Sequence, residues 1–193
     1  PTMGYEFLSG RIKEMTGGEI DIGVFPSGML GSEREGVEQV RAGAVEIVHV
    51  SAGFLGAFVK SVDVFNVPYL FRDHAHYWKV MTGPVGQRIA ADIDQYGAKL
   101  LMWVEGGSRS FYNNVRPITK PEDLVGLKIR VMGSPVMIQT MKSLGANPTT
   151  TAYAEVYSAL QTKVIDGAEN SPTSVASMKH HEVARYFSLN EHM

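Results

Sequence analysis

Apolar positions along the chain switch between a period near 3.6 and a period of 2, which predicts helices alternating with strands and an α/β fold. Leu8, Ile12 and Met15 recur at helical spacing, and Gly17-Gly18 supplies the stop. Ile20, Ile22 and Val24 then alternate as a strand ended by Pro26-Ser27-Gly28. Ser32-Glu33-Arg34-Glu35 reads as a capping box, opening a helix that runs to about Ala42-Gly43. Residues 45–50 read as a second strand. A glycine- and aromatic-rich loop follows, then helical segments over residues 75–81 and 85–96, the latter with Val85, Ile89 and Ile93 on one stripe. The apolar run Leu100-Leu101-Met102-Trp103-Val104 predicts a buried strand over residues 99–105.

Gly106-Gly107 breaks the pattern, and we place a domain crossing here, giving residues 1–106 and 107–193 as two α/β domains. The second half repeats the scheme. Residues 109–113 are extended, and Pro121-Glu122-Asp123 starts a short helix closed by Gly126. Leu127, Ile129 and Val131 alternate in a strand whose other face carries Lys128 and Arg130. Helices follow near residues 136–144 and 156–164, then a strand over 166–170 and a last helix from Pro172.

Open α/β sheets bind ligands beyond the carboxyl ends of their strands, so polar residues at strand ends are the candidates. Arg109 opens the strand after the glycine pair, Arg130 lies near the end of its own, and Asn170 ends the last. Two guanidinium forks and an amide at one place make a carboxylate receptor. At roughly 1.5–3 kcal/mol for each charge-assisted bond, two arginines supply much of the ~8 kcal/mol behind micromolar affinity. Spacing alone equally allows each arginine to pair with a surface acid, and allows Asn170 to cap a helix or sit in a turn.

Composition narrows the rest. The chain has 193 residues, 44% hydrophobic and 20% charged, the make-up of an ordinary globular protein. Its net charge of −2 provides no field to draw nucleic acid or anionic lipid. It has no cysteine, which removes disulfides, thiolate metal sites and cysteine nucleophiles. No run approaches the ~20 apolar residues of a membrane span, and no signal peptide precedes the first helix. The pairs His74/His76 and His180/His181 lack both i,i+4 spacing and a third ligand, so they read as solvated surface. Tyr5, Phe7, Tyr69, Phe71, Trp78 and Trp103 read as core. Neither a nucleotide-binding glycine pattern nor a nucleophile elbow is present, so no cofactor and no enzyme activity are expected.

Five blocks carry a resemblance. They are Phe25-Pro26-Ser27-Gly28-Met29-Leu30-Gly31-Ser32-Glu33-Arg34-Glu35, Pro68-Tyr69-Leu70-Phe71-Arg72-Asp73, Pro121-Glu122-Asp123-Leu124 with residues 126–131, residues 155–161, and Asp166-Gly167-Ala168-Glu169-Asn170. In this order they resemble the periplasmic solute-binding subunits of tripartite ATP-independent (TRAP) transporters, the DctP-type family.

The resemblance implies a two-domain flytrap that closes over an acid in an interdomain cleft. By it, Arg130 is the main carboxylate-binding residue and Arg109 the second, Asn170 contacts ligand oxygens, Glu33 accepts from ligand hydroxyls or amines, and Tyr153 lines the pocket. The wording around Gly107-Ser108-Arg109 and Gly167–Asn170 looks more like the sugar-acid binders, with Ser108 as a further polar contact. A C4-dicarboxylate or 2-oxo acid binder of the same family, a ligand-sensing regulatory domain and a small α/β enzyme are the other readings. The resemblance further implies a periplasmic monomer that meets its membrane subunits transiently. Family members usually extend beyond both ends of this chain, and many have proline where Ser171 stands.

Overall fold

The computed structural model describes residues 2–193, in two compact units, the first ending at Ser32 and the second spanning Glu33–Met193. In the first unit α1 (Thr2–Met15) ends where Gly17 and Gly18 take positive φ, and the chain folds back along it. The Ser9 hydroxyl donates to the Ile22 carbonyl at 2.7 Å and Lys13 pairs with Asp21 at 2.6 Å.

The second unit opens with α2 (Glu33–Ala42), α3 (Ala52–Leu55) and a 3-10 helix (Lys60–Asn66). Two further helices follow, α4 (His74–Met81) and α5 (Pro84–Tyr96). Val37, Val62, Phe65, Met81, Ile89 and Ile93 form a core among them, with Trp78 and Trp103 packed at its margin.

A five-stranded mixed sheet follows, built from β1 (Ser110–Asn113), β2 (Lys128–Val131), β3 (Asn147–Thr150), β4 (Gly167–Asn170) and β5 (Tyr186–Ser188). Its order is β3-β2-β4-β1-β5. β2 runs parallel to both β3 and β4, whereas β1 is antiparallel to β4 and β5. Period-2 alternation divides the side chains between two cores. Phe111, Ile129 and Val131 pack against α6 (Pro135–Ser143) through Met137 and Met141. Tyr112 and Ala168 pack with α7 (Val156–Gln161) and α8 (Pro172–Ser177) through Val156, Leu160 and Val175.

Three expected strands do not form. Residues 20–24, 45–50 and 99–105 join no hydrogen-bonded ladder, and Leu101, Met102 and Val104 are exposed rather than buried. Apolar alternation records which face a segment would bury; a strand also needs a neighbour for its amides. The segments Asn-Pro-Thr-Thr and Tyr-Phe-Ser, which form β3 and β5, are too short and too polar at the ends to show a period in the sequence. Phe7 and Tyr69, expected in the core, are largely exposed.

The sheet is braced from the helical half. Asp63, buried on the 3-10 helix, accepts from the Ser134 hydroxyl, from Asn66 Nδ2 at 2.9 Å and from the Val136 amide at 3.2 Å. Ser134 in turn caps α6 by accepting from the Met137 amide at 3.0 Å. Among the described residues no helix is long and apolar enough to cross a membrane.

Candidate functional site

The strand directions bring the site residues to one end of the sheet. The carboxyl ends of the parallel strands β2 and β4 and the amino end of antiparallel β1 share an edge, so Arg130, Asn170 and Arg109 converge there. Arg130 pairs across the ladders with Thr149 on one side and Ala168 on the other. Its neighbours Ile129 and Val131 face the α6 core, which leaves its side chain on the α7/α8 face.

Only 2% of Arg130 is exposed. Its Nε donates to the Thr151 carbonyl at 2.9 Å, which fixes one edge of the guanidinium. Its Nη2 is buried with no partner among the described residues. The Phe54 and Tyr153 rings lie 5.9 and 6.0 Å from its central carbon. Burial lowers its pKa, Glu169 and Glu33 work against that, and Arg109 adds to it. A guanidinium remains charged regardless.

Arg109 is placed differently. Its Nε donates to Glu169 Oε2 at 2.5 Å and its Nη2 to Oε1 at 2.8 Å, a bidentate pair. Nη2 also reaches the Glu169 carbonyl at 2.8 Å, and Nη1 donates to Asn170 Oδ1 at 3.0 Å. Burial opposes the Arg109 charge, but the Glu169 charge and hydrogen bonds outweigh it and raise the pKa. The Glu169 side chain is wholly buried, with His192 Nε2 at 3.7 Å and the His192 ring stacked on Phe111. The Asn170 oxygen accepts from Arg109 and from the Ser171 amide at 2.9 Å, so its Nδ2 is the group left to offer a guest. Ser171, not Asn170, is the cap of α8.

Glu33, at the start of α2, accepts from the Ser51 amide at 2.6 Å and the Ser51 hydroxyl at 2.7 Å. Its charge acts on both Arg130 and Tyr153. Tyr153 is half-buried; burial raises its hydroxyl pKa, while a hydrogen bond from Ser174 and the two arginines lower it. Glu33, Arg130 and Tyr153 thus share one electrostatic neighbourhood, and Arg109 with Asn170 adjoins it. Ser108 is exposed on the loop before β1, next to Gly107, where an added Cβ would sit 3.4 Å from Ser171 Cβ.

Beneath this group lies a histidine that sequence reading assigned to solvated surface. His180 is 0% exposed, its Nδ1 2.8 Å from the Tyr112 hydroxyl and its ring edge-on to Tyr153 at 5.9 Å. Burial first, then the Arg130 charge, depress its pKa to about 4. An unfolded histidine takes up its proton near pH 6.5, so between there and pH 4 the unfolded chain holds more protons and stability falls as pH falls. The depressed pKa of buried His192 acts in the same direction. Urea unfolding should therefore show a loss of about 2–3 kcal/mol from His180 between pH 7 and 4.5. His180→Phe should lose correspondingly less, and an identical drop in both proteins would exclude His180 as a source.

Glu169, Ser51, Phe54 and the Thr151 carbonyl were missed by sequence reading. Glu169 alone left a signal, since an acid inside a short strand flanked by glycine and alanine calls for a cation.

Residues 2–193 match the family model described as bacterial extracellular solute-binding protein, family 7. A TRAP periplasmic solute-binding protein from Roseobacter denitrificans, solved with bound β-D-glucuronate, is 41% identical with a TM-score of 0.96; the match covers 100% of this chain and 64% of that one. One from Sulfurospirillum deleyianum with bound succinate is 34% identical, TM-score 0.95, covering 98% and 61%. The 2,3-diketo-L-gulonate-binding periplasmic protein YiaO of Escherichia coli is 36% identical, over 94% of this chain and 55% of its own length. The sheet and helices described above are accordingly part of the flytrap architecture of these proteins. This chain belongs to the bacterial extracellular solute-binding protein family 7.

Proposed function

We propose that the protein captures a small hydroxylated organic acid in the periplasm and hands it, unchanged, to TRAP transporter membrane subunits. The observation that carries this reading is Arg130, a buried cation held at one edge and unpartnered at Nη2 among the described residues. An unmade bond on a buried charged donor costs about 1–3 kcal/mol or more, and a ligand carboxylate removes that cost. Arg130 holds the carboxylate, Asn170 Nδ2 adds a second donor, and Arg109 orients Asn170 while contributing positive potential. Glu33, Tyr153 and Ser108 meet the rest of the ligand. The lobes that close over it are residues 1–106 and 107–193. The protein acts as a monomer, needs no cofactor, and touches its membrane partner only while the ligand passes.

Sugar acids are favoured because the glucuronate-bound relative is among the most similar structures. The succinate-bound relative supports a C4-dicarboxylate as the second reading. A thermal-shift screen of the intact protein against uronates, aldonates, C4-dicarboxylates and 2-oxo acids separates them. A ligand at 100 times its Kd adds about 2.7 kcal/mol, a shift of several degrees for a protein this size. No shift with any acid, or conversion of the acid to a product, rejects the capture reading.

A further inference from the structure

We propose that Glu33 makes the site a charge filter, one that admits monocarboxylates with a neutral hydroxylated tail and rejects acids carrying a second carboxylate. This deepens the capture reading and rests on Arg130 holding the first carboxylate.

Arg109 and Glu169 neutralise each other in a bidentate pair. That leaves Arg130 as the cation available to a guest and Glu33 as a nearby carboxylate whose charge acts on it. Geometry fixes Glu33 in place. Its Oε2 takes both donors of Ser51, and the same Ser51 hydroxyl lies 3.1 Å from the sulfur of Met132, two residues beyond Arg130. Gly53 packs so closely on Met132 that an added Cβ would come within 2.4 Å of it, and the Phe54 ring lies against Arg130. Residues 51–54 thus form a short brace between the acid and the base. No ion pair joins Glu33 to Arg130 among the described residues, although the Glu33 charge acts on that guanidinium.

A fixed anion braced within the field of a fixed cation imposes a polarity on a guest that reaches both. A ligand with its carboxylate on Arg130 turns its far end toward Glu33, where a hydroxyl donates a hydrogen bond. A second carboxylate there has no donor to give and meets a like charge in a partly desolvated site. Discrimination of this kind comes from the repulsive element rather than from better contacts to the preferred ligand. Because Oε2 already takes two bonds, the other oxygen of Glu33 is the one a tail hydroxyl meets.

Calorimetry on the intact protein with two matched pairs tests this: gluconate against glucarate, and 4-hydroxybutyrate against succinate. Each pair differs in its far end, hydroxyl against carboxylate. Wild type is expected to favour the monoacid of each pair by at least about tenfold, or ~1.4 kcal/mol. Glu33→Gln keeps an oxygen for Ser51 and removes the charge, so both ratios should fall by about fivefold or more. Equal binding within the pairs, or ratios unchanged by Glu33→Gln, overturns the filter while leaving the capture reading standing. If none of the four acids binds wild type, the filter falls, whereas the capture reading stands or falls by the wider screen that includes the uronates.

Discussion

Arg130→Ala is expected to give a folded protein that no longer binds its acid, with affinity down by roughly 100-fold to 10,000-fold. Two charge-assisted bonds at about 1.5–3 kcal/mol each set that range. Retention of the fold follows from the same geometry. Arg130 donates to Thr151 and its Nη2 is buried without a partner among the described residues, so truncation removes a desolvated charge along with a contact. Circular dichroism should show a native-like spectrum and a transition near that of wild type, while calorimetry shows no heat of binding. Arg130→Lys should retain a fraction of the affinity, since a point charge on a shorter stem cannot reproduce the fork. Wild-type affinity in Arg130→Ala would remove the residue from the site.

Glu169→Ala is expected to be the most damaging single change to stability, by about 3–5 kcal/mol, because it leaves the Arg109 guanidinium partly buried and uncompensated. For a protein of this size that lowers Tm by roughly 6–20 °C. The reciprocal change Arg109→Ala strands Glu169, whose side chain has no exposure at all, and should be comparably severe. The double change to leucine should cost less than the sum of the two single alanine substitutions, since the pair then leaves no orphaned charge. Denaturant unfolding of the variants reads all of this directly. Strict additivity would show that the two side chains do not act as a pair. Ligand affinity should also fall in Glu169→Ala, because a loosened Arg109 no longer holds the Asn170 oxygen.

Sequence revealed the helices best. α4, α5 and α6 lie within a residue or two of the periodic runs that predict them, each with a stop or cap residue at its end. β2 and β4 were legible because Ile129 and Val131 alternate with Arg130, and because a glycine opens the β4 segment. Strand partners were not legible, since pairing is a relation between distant segments that no local window contains. This is why residues 99–105 read as a strand while β3 and β5 passed unnoticed.

The site divides in the same way. Arg130 and Arg109 were visible as cations at strand ends, but nothing local distinguishes an arginine with an open nitrogen from one paired 60 residues away with Glu169. His180 was misread because its neighbour His181 and the charged residues around it look like surface, whereas the ring turns inward to Tyr112. Its burial depends on where α8 delivers the chain.

Pro148 in β3 has a bearing on solubility. The amide of Asn147 points inward to the Leu127 carbonyl, so the alternate position, where proline lacks an N–H, faces away from β2. The ladder loses nothing by it. A foreign strand approaching that rim finds a gap where it needs a donor, and cannot zip on. The outermost parallel strand thereby offers a broken row of donors, which disfavours edge-to-edge pairing with another chain.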